Sequence, residues 1–330
     1  MIADALQRLF DLLKEHRGTR LLCLATTANI NNPAVLVGSP RISGEVLAGN
    51  LILRETNSFH DFVQKFDSVV DCFFVDCERK SGVSLVERAR SIIHPDRLHF
   101  FKPNDFTVEA ADEWIAGRIT DLTRTRSAII GAGNIGSKLA LRLAERGSDV
   151  NLVGKNPKVL QEVAQGLSHI VRGEGTITPC VSILDACKDA NVIVGCTQGL
   201  PVIDEDAISV SAPSILLDVG NGCFSSSAIS AAQRNQLMIE VLSPAAGWEG
   251  ALHRYITTRE LQRGMGRRKL RDSEVWIVSR GILGHEGDVL VDSISNPTHV
   301  IGVCNGSGDL LYGEDAEIKT KIAETSLGLI

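Results

Sequence analysis

The 330-residue chain reads as an α/β protein in three parts, and three observations predict it. Residues 20–25, 69–76 and 128–130 are short, nearly uninterrupted apolar runs, the mark of strands buried on both faces of a parallel sheet. Between such runs, apolar residues recur three and four apart, the period of a helix with one buried face. After residue 274 the pattern changes to short apolar runs separated by Gly, Asn and Pro, which predicts a small β-rich appendage. The expected parts are an N-terminal α/β domain over 1–122, a second α/β domain over 123–245, and a return helix with the β-rich extension over 246–330.

The first part opens with a helix over 3–14, where Leu6, Leu9, Phe10 and Leu13 share a face. A strand over 20–25 follows, then turn signals at 31–33 and 38–41, and a short strand over 46–53. Residues 58–66 are helical, with Phe59, Phe62, Val63 and Phe66 on one side and Lys65 nearer the other. An interior strand over 69–76 leads to a helix over 83–93 that Pro95 stops, and 107–119 is a further helix joining this part to the next. Asn50, Arg54, Glu55, Asn57, His60, Lys65, Asp76 and Lys80 lie near strand ends or helix faces. Lys65 or Lys80 would orient a substrate carbonyl or carboxylate, or pass a proton if desolvation lowered its pKa; each also has the plainer reading of a solvated surface lysine. Asp76, directly after a buried strand, would orient a base or cap the turn.

The second part is organised around Gly131-x-Gly133-x-x-Gly136. The motif follows the strand at 128–130 and opens a helix over 134–146; the next strand is at 150–153. Strand, glycine turn, helix and strand in this order form the first half of a Rossmann dinucleotide-binding unit. Gly131 allows the tight turn, Gly133 lets the backbone approach a pyrophosphate, and Gly136 permits close helix packing. The phosphates would meet the free N–H groups and positive end of the helix at Asn134 and Ile135. Further strands over 191–195, 214–218 and 236–242 alternate with helices over 157–167, 182–186, 204–208 and 225–234, a parallel sheet covered on both faces.

Ligands of such sheets lie beyond the carboxyl ends of the strands, which places Thr197, Gln198, Gly220 and Asn221 at the nicotinamide and substrate. An NAD enzyme usually carries an acidic residue at the end of the second strand, for the ribose hydroxyls. Here Lys155, Asn156 and Lys158 stand there instead, which favours the 2′-phosphate of NADP over NAD.

The run Asn191-Val-Ile-Val-Gly-Cys-Thr-Gln-Gly-Leu-Pro, followed by Leu217-Asp-Val-Gly-Asn221, resembles the cofactor domains of methylenetetrahydrofolate dehydrogenases. The glycine motif followed by Gly154-Lys-Asn-Pro157 is similar to the shikimate dehydrogenase group. Both resemblances are confined to residues of about 125–245, and both imply a two-domain layout with the substrate domain first and a nicotinamide cofactor in the second. Neither family's substrate-domain pattern is present: both tyrosines, Tyr255 and Tyr312, lie after the nucleotide half, and no N-V-T-x-P-x-K occurs.

The third part begins with turn residues at 244–247 and runs into a helix carrying Trp248, His253 and Tyr255. His253 is a candidate proton donor, and the two aromatic residues read as packing groups. Short strands are expected at 275–278, 289–291, 300–303 and 309–312, then a helix over 314–327; the extension would serve dimerisation or cover the active site. The basic run at Arg263, Arg267, Arg268, Lys269 and Arg271 reads as a solvated face or a subunit contact. His285, Glu286, Asp288, Asp292 and His299 lack any metal-ligand spacing, so no metal is expected.

A net charge of −6 gives no reason to expect nucleic acid as a partner. No apolar run reaches the roughly 18 residues of a membrane span, and the first residues begin no secretory signal. Eight scattered cysteines without a C-x-x-C read as reduced cytosolic thiols, so a cytoplasmic enzyme, as a homodimer, is expected. The function these residues point to is NADP-dependent hydride transfer to or from a C=O or C=N carbon of a small polar metabolite held between the two α/β domains. Two alternatives stay open. One is a lyase or cyclodeaminase holding NAD(P) without net turnover, the other a non-catalytic redox sensor.

Overall fold

The computed structural model describes residues 2–29, 31–80, 82, 84–211 and 213–330. It divides into two compact units, Met1–Ala251 and Leu252–Ile330. The architecture is α/β: an N-terminal mixed sheet and a parallel Rossmann-like sheet in the first unit, and a small β-rich extension in the second.

In the first unit the chain begins with α1 (Ile2–Glu15), β1 (Thr19–Thr26), β2 (Val35–Ser43), β3 (Val46–Leu53) and α2 (Phe59–Phe66). It continues with β4 (Cys72–Asp76), α3 (Val86–Ile92), β5 (Leu98–Phe101) and α4 (Pro103–Arg118). The strands lie in the order β2-β3-β1-β4-β5. β3, β1, β4 and β5 are parallel, and β2 runs antiparallel at the edge. The apolar runs of β1 and β4 are buried because helices cover them, and the core joins Leu9 and Leu13 of α1 to Phe62 and Phe66 of α2 and Phe73 of β4. Phe59, Phe66 and Phe73 are fully enclosed, and each stabilises the domain by about 1.5–3 kcal/mol through burial.

One sequence expectation is overturned here. Gly38-Ser-Pro-Arg41 is not a turn but the middle of β2, whose register slips between Gly38 and Arg41. Proline lacks a ladder donor, and an irregular edge strand is where a sheet tolerates it. β5 is a strand that the sequence pattern does not announce. The helix expected from residue 83 begins at Val86, and Val83 itself lies outside the described residues.

The Rossmann-like part comprises β6 (Arg126–Ile130), α5 (Asn134–Glu145), β7 (Asp149–Val153), α6 (Pro157–Ile170), β8 (Ile177–Cys180), α7 (Ile183–Cys187) and β9 (Val192–Gly195). α8 (Glu205–Ser209), β10 (Ile215–Asp218), α9 (Ser226–Arg234) and β11 (Ile239–Val241) complete it. All pairings are parallel, in the order β11-β10-β9-β6-β7-β8, so the strand order reverses between β6 and β9. The expected strands and helices occur within a few residues of their expected bounds, and β8, at the sheet edge, is additional.

α4 ties the two sheets together. Phe106 stacks on Phe101 of β5, while Ala111 and Ile115 enter the core beneath the second sheet. Buried Asp112 accepts hydrogen bonds from Arg142 of α5 and from Arg146, which caps that helix. Trp248 packs on Phe101 and Phe106, as its reading as a packing group anticipates.

The boundary at Ala251 falls within α10 (Ala245–Gly264). The second unit carries β12 (Arg267–Lys269), β13 (Trp276–Ser279), β14 (Val289–Val291), β15 (Val300–Cys304), β16 (Leu310–Leu311) and α11 (Glu314–Leu327). These strands form one sheet in chain order, with β13 and β14 parallel and the other neighbours antiparallel. Leu270, Ile277, Val289, Val291 and Val303 form its core with Ala323 of α11. Part of the basic run becomes the edge strand β12. Arg267 grips Asp288 with two hydrogen bonds and lies 4.0 Å over the Trp276 ring, and Lys269 pairs with Glu274. These two bases have structural partners within their own unit.

Candidate functional site

The glycine turn after β6 has the geometry its spacing predicts. Gly131 has φ +123°, a region closed to side chains, and a β-carbon there would stand 2.6 Å from the Cys196 carbonyl oxygen. A β-carbon on Gly136 would stand 1.9 Å from the Gly131 carbonyl oxygen, so α5 rests directly on the loop. At Gly133 the result is the opposite: its β-carbon would meet nothing within 4 Å. Gly133 is the N-cap of α5 and offers no side chain to the helix's free N–H groups. Open space in front of those donors fits a phosphate. Asn134 and Ile135 form the first helical residues beside it.

A cavity of about 680 Å³ extends from this turn across the point where the strand order reverses. Gly131 and Gly133 line one part, Lys155 and Asn156 another, and Thr197 and Gln198 a third. Ligands of open α/β sheets bind at this point. Lys155, Asn156 and Lys158 are exposed at the end of β7. Asn156 is already engaged locally. Its Oδ1 caps α6 by accepting from the N–H groups of Lys158 and Val159, which leaves its amide nitrogen for a ligand. Lys158 is not on the cavity wall, unlike Lys155.

The loops after β9 and β10 hold unusual backbone. Gln198 and Asn221 have φ near +57° and +58°, a left-handed conformation uncommon for residues with a side chain. Thr197 is anchored by a 2.7 Å hydrogen bond from its Oγ1 to the Leu200 carbonyl. Gly220 leaves room for the Cys223 thiol, which would lie 2.5 Å from a β-carbon there. Asp218 is buried and accepts from the N–H groups of Gly222 and Cys223, holding this turn. Cys196 lines the cavity, but burial pushes its thiol far up, so it is a wall and not a nucleophile.

The carboxyl ends of the first sheet face those of the second. Asn29, in the loop after β1, lies against Gly199, in the loop after β9: a β-carbon on Gly199 would be 2.9 Å from Asn29 Nδ2. At a second point Asn104 Nδ2 donates to Asn134 Oδ1 at 3.4 Å. Lys80 lies between these two points in the hydrogen-bond network. Its Nζ donates to Asp76 Oδ2 at 2.8 Å and to the Thr26 carbonyl at 3.1 Å, and Thr26 is three residues from Asn29. Glu78 Oε2 is 3.7 Å from Lys80 Nζ and accepts the N–H of Asn104. The lysine side chain is only 11% exposed and Asp76 not at all. Asp76 also accepts from Thr26 N, Thr26 Oγ1 and Glu78 N, so both its oxygens are occupied. Beyond Glu78, Lys138 and Lys102 share Asp105. Burial opposes ionisation of that carboxyl, but the two lysines outweigh it and hold its pKa below the usual range.

The other two lysine and histidine candidates lie elsewhere in the chain. Lys65, in the last turn of α2, donates to Gln7 and sits 5.4 Å over the Phe10 ring of α1. α2 descends from the carboxyl end of β3 to the amino end of β4, so its last turn is at the edge away from Lys80. His253 is an exposed residue of α10 in the second unit. The sequence pattern does not single out Asn29, Thr26 or Asn104. Polar residues immediately after a buried strand, as at Thr26-Thr-Ala-Asn29, are the available signal. Among the described residues no group of three metal-ligating side chains occurs, and no helix is long and apolar enough to cross a membrane.

Comparison with known proteins agrees with the sheet and goes little further. A family model described as NADP oxidoreductase coenzyme F420-dependent matches residues 126–222, less than half of the chain. No curated protein sequence matches the chain. Distant likenesses to solved structures include shikimate 5-dehydrogenase from Thermus thermophilus, at 14% identity and a TM-score of 0.44, covering 73% of this chain and 94% of that one. L-tryptophan dehydrogenase from Nostoc punctiforme is similar at 13% identity and a TM-score of 0.43, covering 73% and 75%. A mitochondrial ornithine carbamoyltransferase from Coccidioides immitis scores 0.45 at 14% identity, covering 77% and 93%. A transferase scores as high as the dehydrogenases, so these likenesses do not choose a chemistry. What the chain shares with the family model is the Rossmann-like sheet from β6 to the turn after β10.

Proposed function

We propose that the first unit is an NADP-dependent dehydrogenase or reductase acting on a C=O or C=N carbon of a small polar metabolite held between its two sheets. The observation that carries this reading is the continuous cavity from Gly133, past Lys155 and Asn156, to Thr197 and Gln198 at the strand-order reversal. NADP, when bound, supplies or accepts the hydride. Gly131, Gly133 and the N–H groups at Asn134 and Ile135 would hold the pyrophosphate. Lys155, Lys158 and the Asn156 amide would take the 2′-phosphate. Thr197, Gln198, Gly220 and Asn221 would flank the nicotinamide and orient the substrate.

Lys80 is the proton donor of this proposal. Two of its three N–H bonds are committed to Asp76 and Thr26, and among the described residues none takes the third, which would serve an oxygen or nitrogen that gains negative character. Asp76 positions the lysine and touches no substrate. Lys65 and His253 take secondary places, since nothing in the geometry ties either to Lys80. The free thiols fit a reducing cytoplasm, and a homodimer is the expected assembly.

Titration calorimetry with NADPH and NADH tests the cofactor. The expected result is tighter binding of NADPH, with Lys155→Ala/Lys158→Ala losing about tenfold or more of NADPH affinity and little of NADH, given about 1.5–3 kcal/mol for a charged hydrogen bond. Absence of binding by either dinucleotide would overturn the reading.

A further inference from the structure

We infer that Asn104, at the start of α4, is a further cofactor-binding residue, whose side-chain amide closes the pyrophosphate site from the side of the first sheet. The inference rests on the function proposed above. It makes the dinucleotide a ligand of both sheets of the first unit, not of the second alone.

Asn104 stands just beyond the carboxyl end of β5, in the first turn of α4. Its Nδ2 lies 3.4 Å from Oδ1 of Asn134, the first helical residue of α5. The backbone N–H of Asn134 is one of the donors that the Gly133 turn leaves open. A separation of 3.4 Å is long for an amide pair, whose usual range ends near ~3.2 Å, so this bond commits little of the donor. Among the described residues, neither the second N–H of the Asn104 amide nor its Oδ1 has a partner. A phosphate oxygen is a stronger acceptor than an amide oxygen, because it is charged. The glycine turn and the cavity that reaches Gly133 define the site independently of this residue. Asn104 adds a side-chain donor from the opposite wall.

That donor is held in place before any ligand arrives. Glu78 Oε2 accepts the backbone N–H of Asn104 at 2.9 Å, which fixes the start of α4 to the loop after β4. The next residue, Asp105, accepts from Lys138 of α5 at 2.5 Å, one turn along from Asn134, and also pairs with Lys102. The starts of α4 and α5 are therefore joined at two successive points, and the amide between them is half-buried. A donor fixed in this way loses little freedom when it binds.

The test compares NADPH with adenosine 2′-monophosphate, which keeps the base and the 2′-phosphate but lacks the pyrophosphate. Asn104→Ala removes the amide and keeps the backbone N–H that Glu78 accepts, so the start of α4 should stay in place. In titration calorimetry on the full-length protein, this variant should lose about tenfold or more of its NADPH affinity, the scale of a hydrogen bond to a charged group. Its affinity for adenosine 2′-monophosphate should be unchanged. Asn104→Asp puts a negative charge at the same place and should lose more NADPH affinity than Asn104→Ala, with the excess shrinking in about 1 M salt. Asn134→Ala distinguishes direct contact from action through Asn134: the loss caused by Asn104→Ala should persist in that background. Unaltered NADPH affinity in Asn104→Ala, an equal loss for both ligands, or a loss that vanishes in the Asn134→Ala background would overturn the inference. Those three results leave the NADP reading standing, whereas an unmodified protein that binds neither dinucleotide removes both.

Discussion

Asn29 and Gly199 meet where the two sheets of the first unit face each other, so closely that a β-carbon on Gly199 would stand 2.9 Å from Asn29 Nδ2 and 3.0 Å from the Asn221 carbonyl oxygen. Gly199 also has φ +80°, which any other residue adopts with strain. Gly199→Ala therefore carries a backbone cost of about 1–2 kcal/mol and a steric one besides. Pairing it with Asn29→Ala should return only the steric part due to Asn29, since the contact with the Asn221 carbonyl oxygen remains. Urea unfolding of the two single variants and the double variant measures this. Full recovery in the double would show that the backbone conformation costs nothing, contrary to this account.

Gly133 and Gly136 separate binding from folding. Gly136→Ala forces a β-carbon to 1.9 Å from a backbone oxygen and should destabilise strongly, by more than about 2 kcal/mol. Gly133→Ala enters open space at φ −85° and should leave the melting temperature within a degree or two. Its methyl group would occupy the phosphate approach, so NADPH affinity should fall by about tenfold or more. A Gly133→Ala protein that binds NADPH normally would mean the pyrophosphate does not lie there.

These glycines are legible in the sequence because the turn they build is local: strand, loop and helix are consecutive, and each glycine has a separate steric reason. Much of the remaining fold is legible for the same cause, since the apolar period of α5 or β9 depends on which face is covered and not on what covers it. β2 is easily misread because Gly38 and Pro40 are turn formers, and only pairing with β3 makes them part of an irregular edge strand. The site is less readable. Asp76 and Lys80 can be placed near a strand end, but not joined to Thr26, because that contact follows from β1 lying beside β4. Asn29 gives no signal by itself, since its significance lies in Gly199, on the other sheet.

The Lys80–Asp76 pair makes a prediction about stability that does not depend on the substrate. Lys80→Met leaves the wholly buried Asp76 carboxylate without its cation, which should cost about 3–5 kcal/mol. Adding Asp76→Asn removes the stranded charge but keeps an oxygen for only one of the Thr26 and Glu78 N–H groups, which bind different oxygens of the carboxylate. The double variant should therefore be destabilised by less than the sum of the two single variants, by about 1 kcal/mol or more in a double-mutant cycle. A double variant as unstable as the sum of the singles would show that the two groups act independently.

The second unit should be acid-sensitive through Asp292. Burial raises the affinity of this carboxyl for a proton, but hydrogen bonds from Thr298 N, Thr298 Oγ1 and His299 N outweigh it and bring its pKa down to about 2. The unfolded chain takes up this proton near pH ~3.9. A folded value below the unfolded one means the stabilisation is fully present above about pH 5 and is lost as pH falls towards about 2. Asp292→Asn cannot lose what it does not have. Between about pH 5 and pH 2 its unfolding midpoint should fall less steeply than that of the unmodified chain, while the losses from other carboxylates, common to both, cancel. Parallel curves for the two proteins would show that the hydrogen bonds to Asp292 contribute equally to its charged and neutral forms.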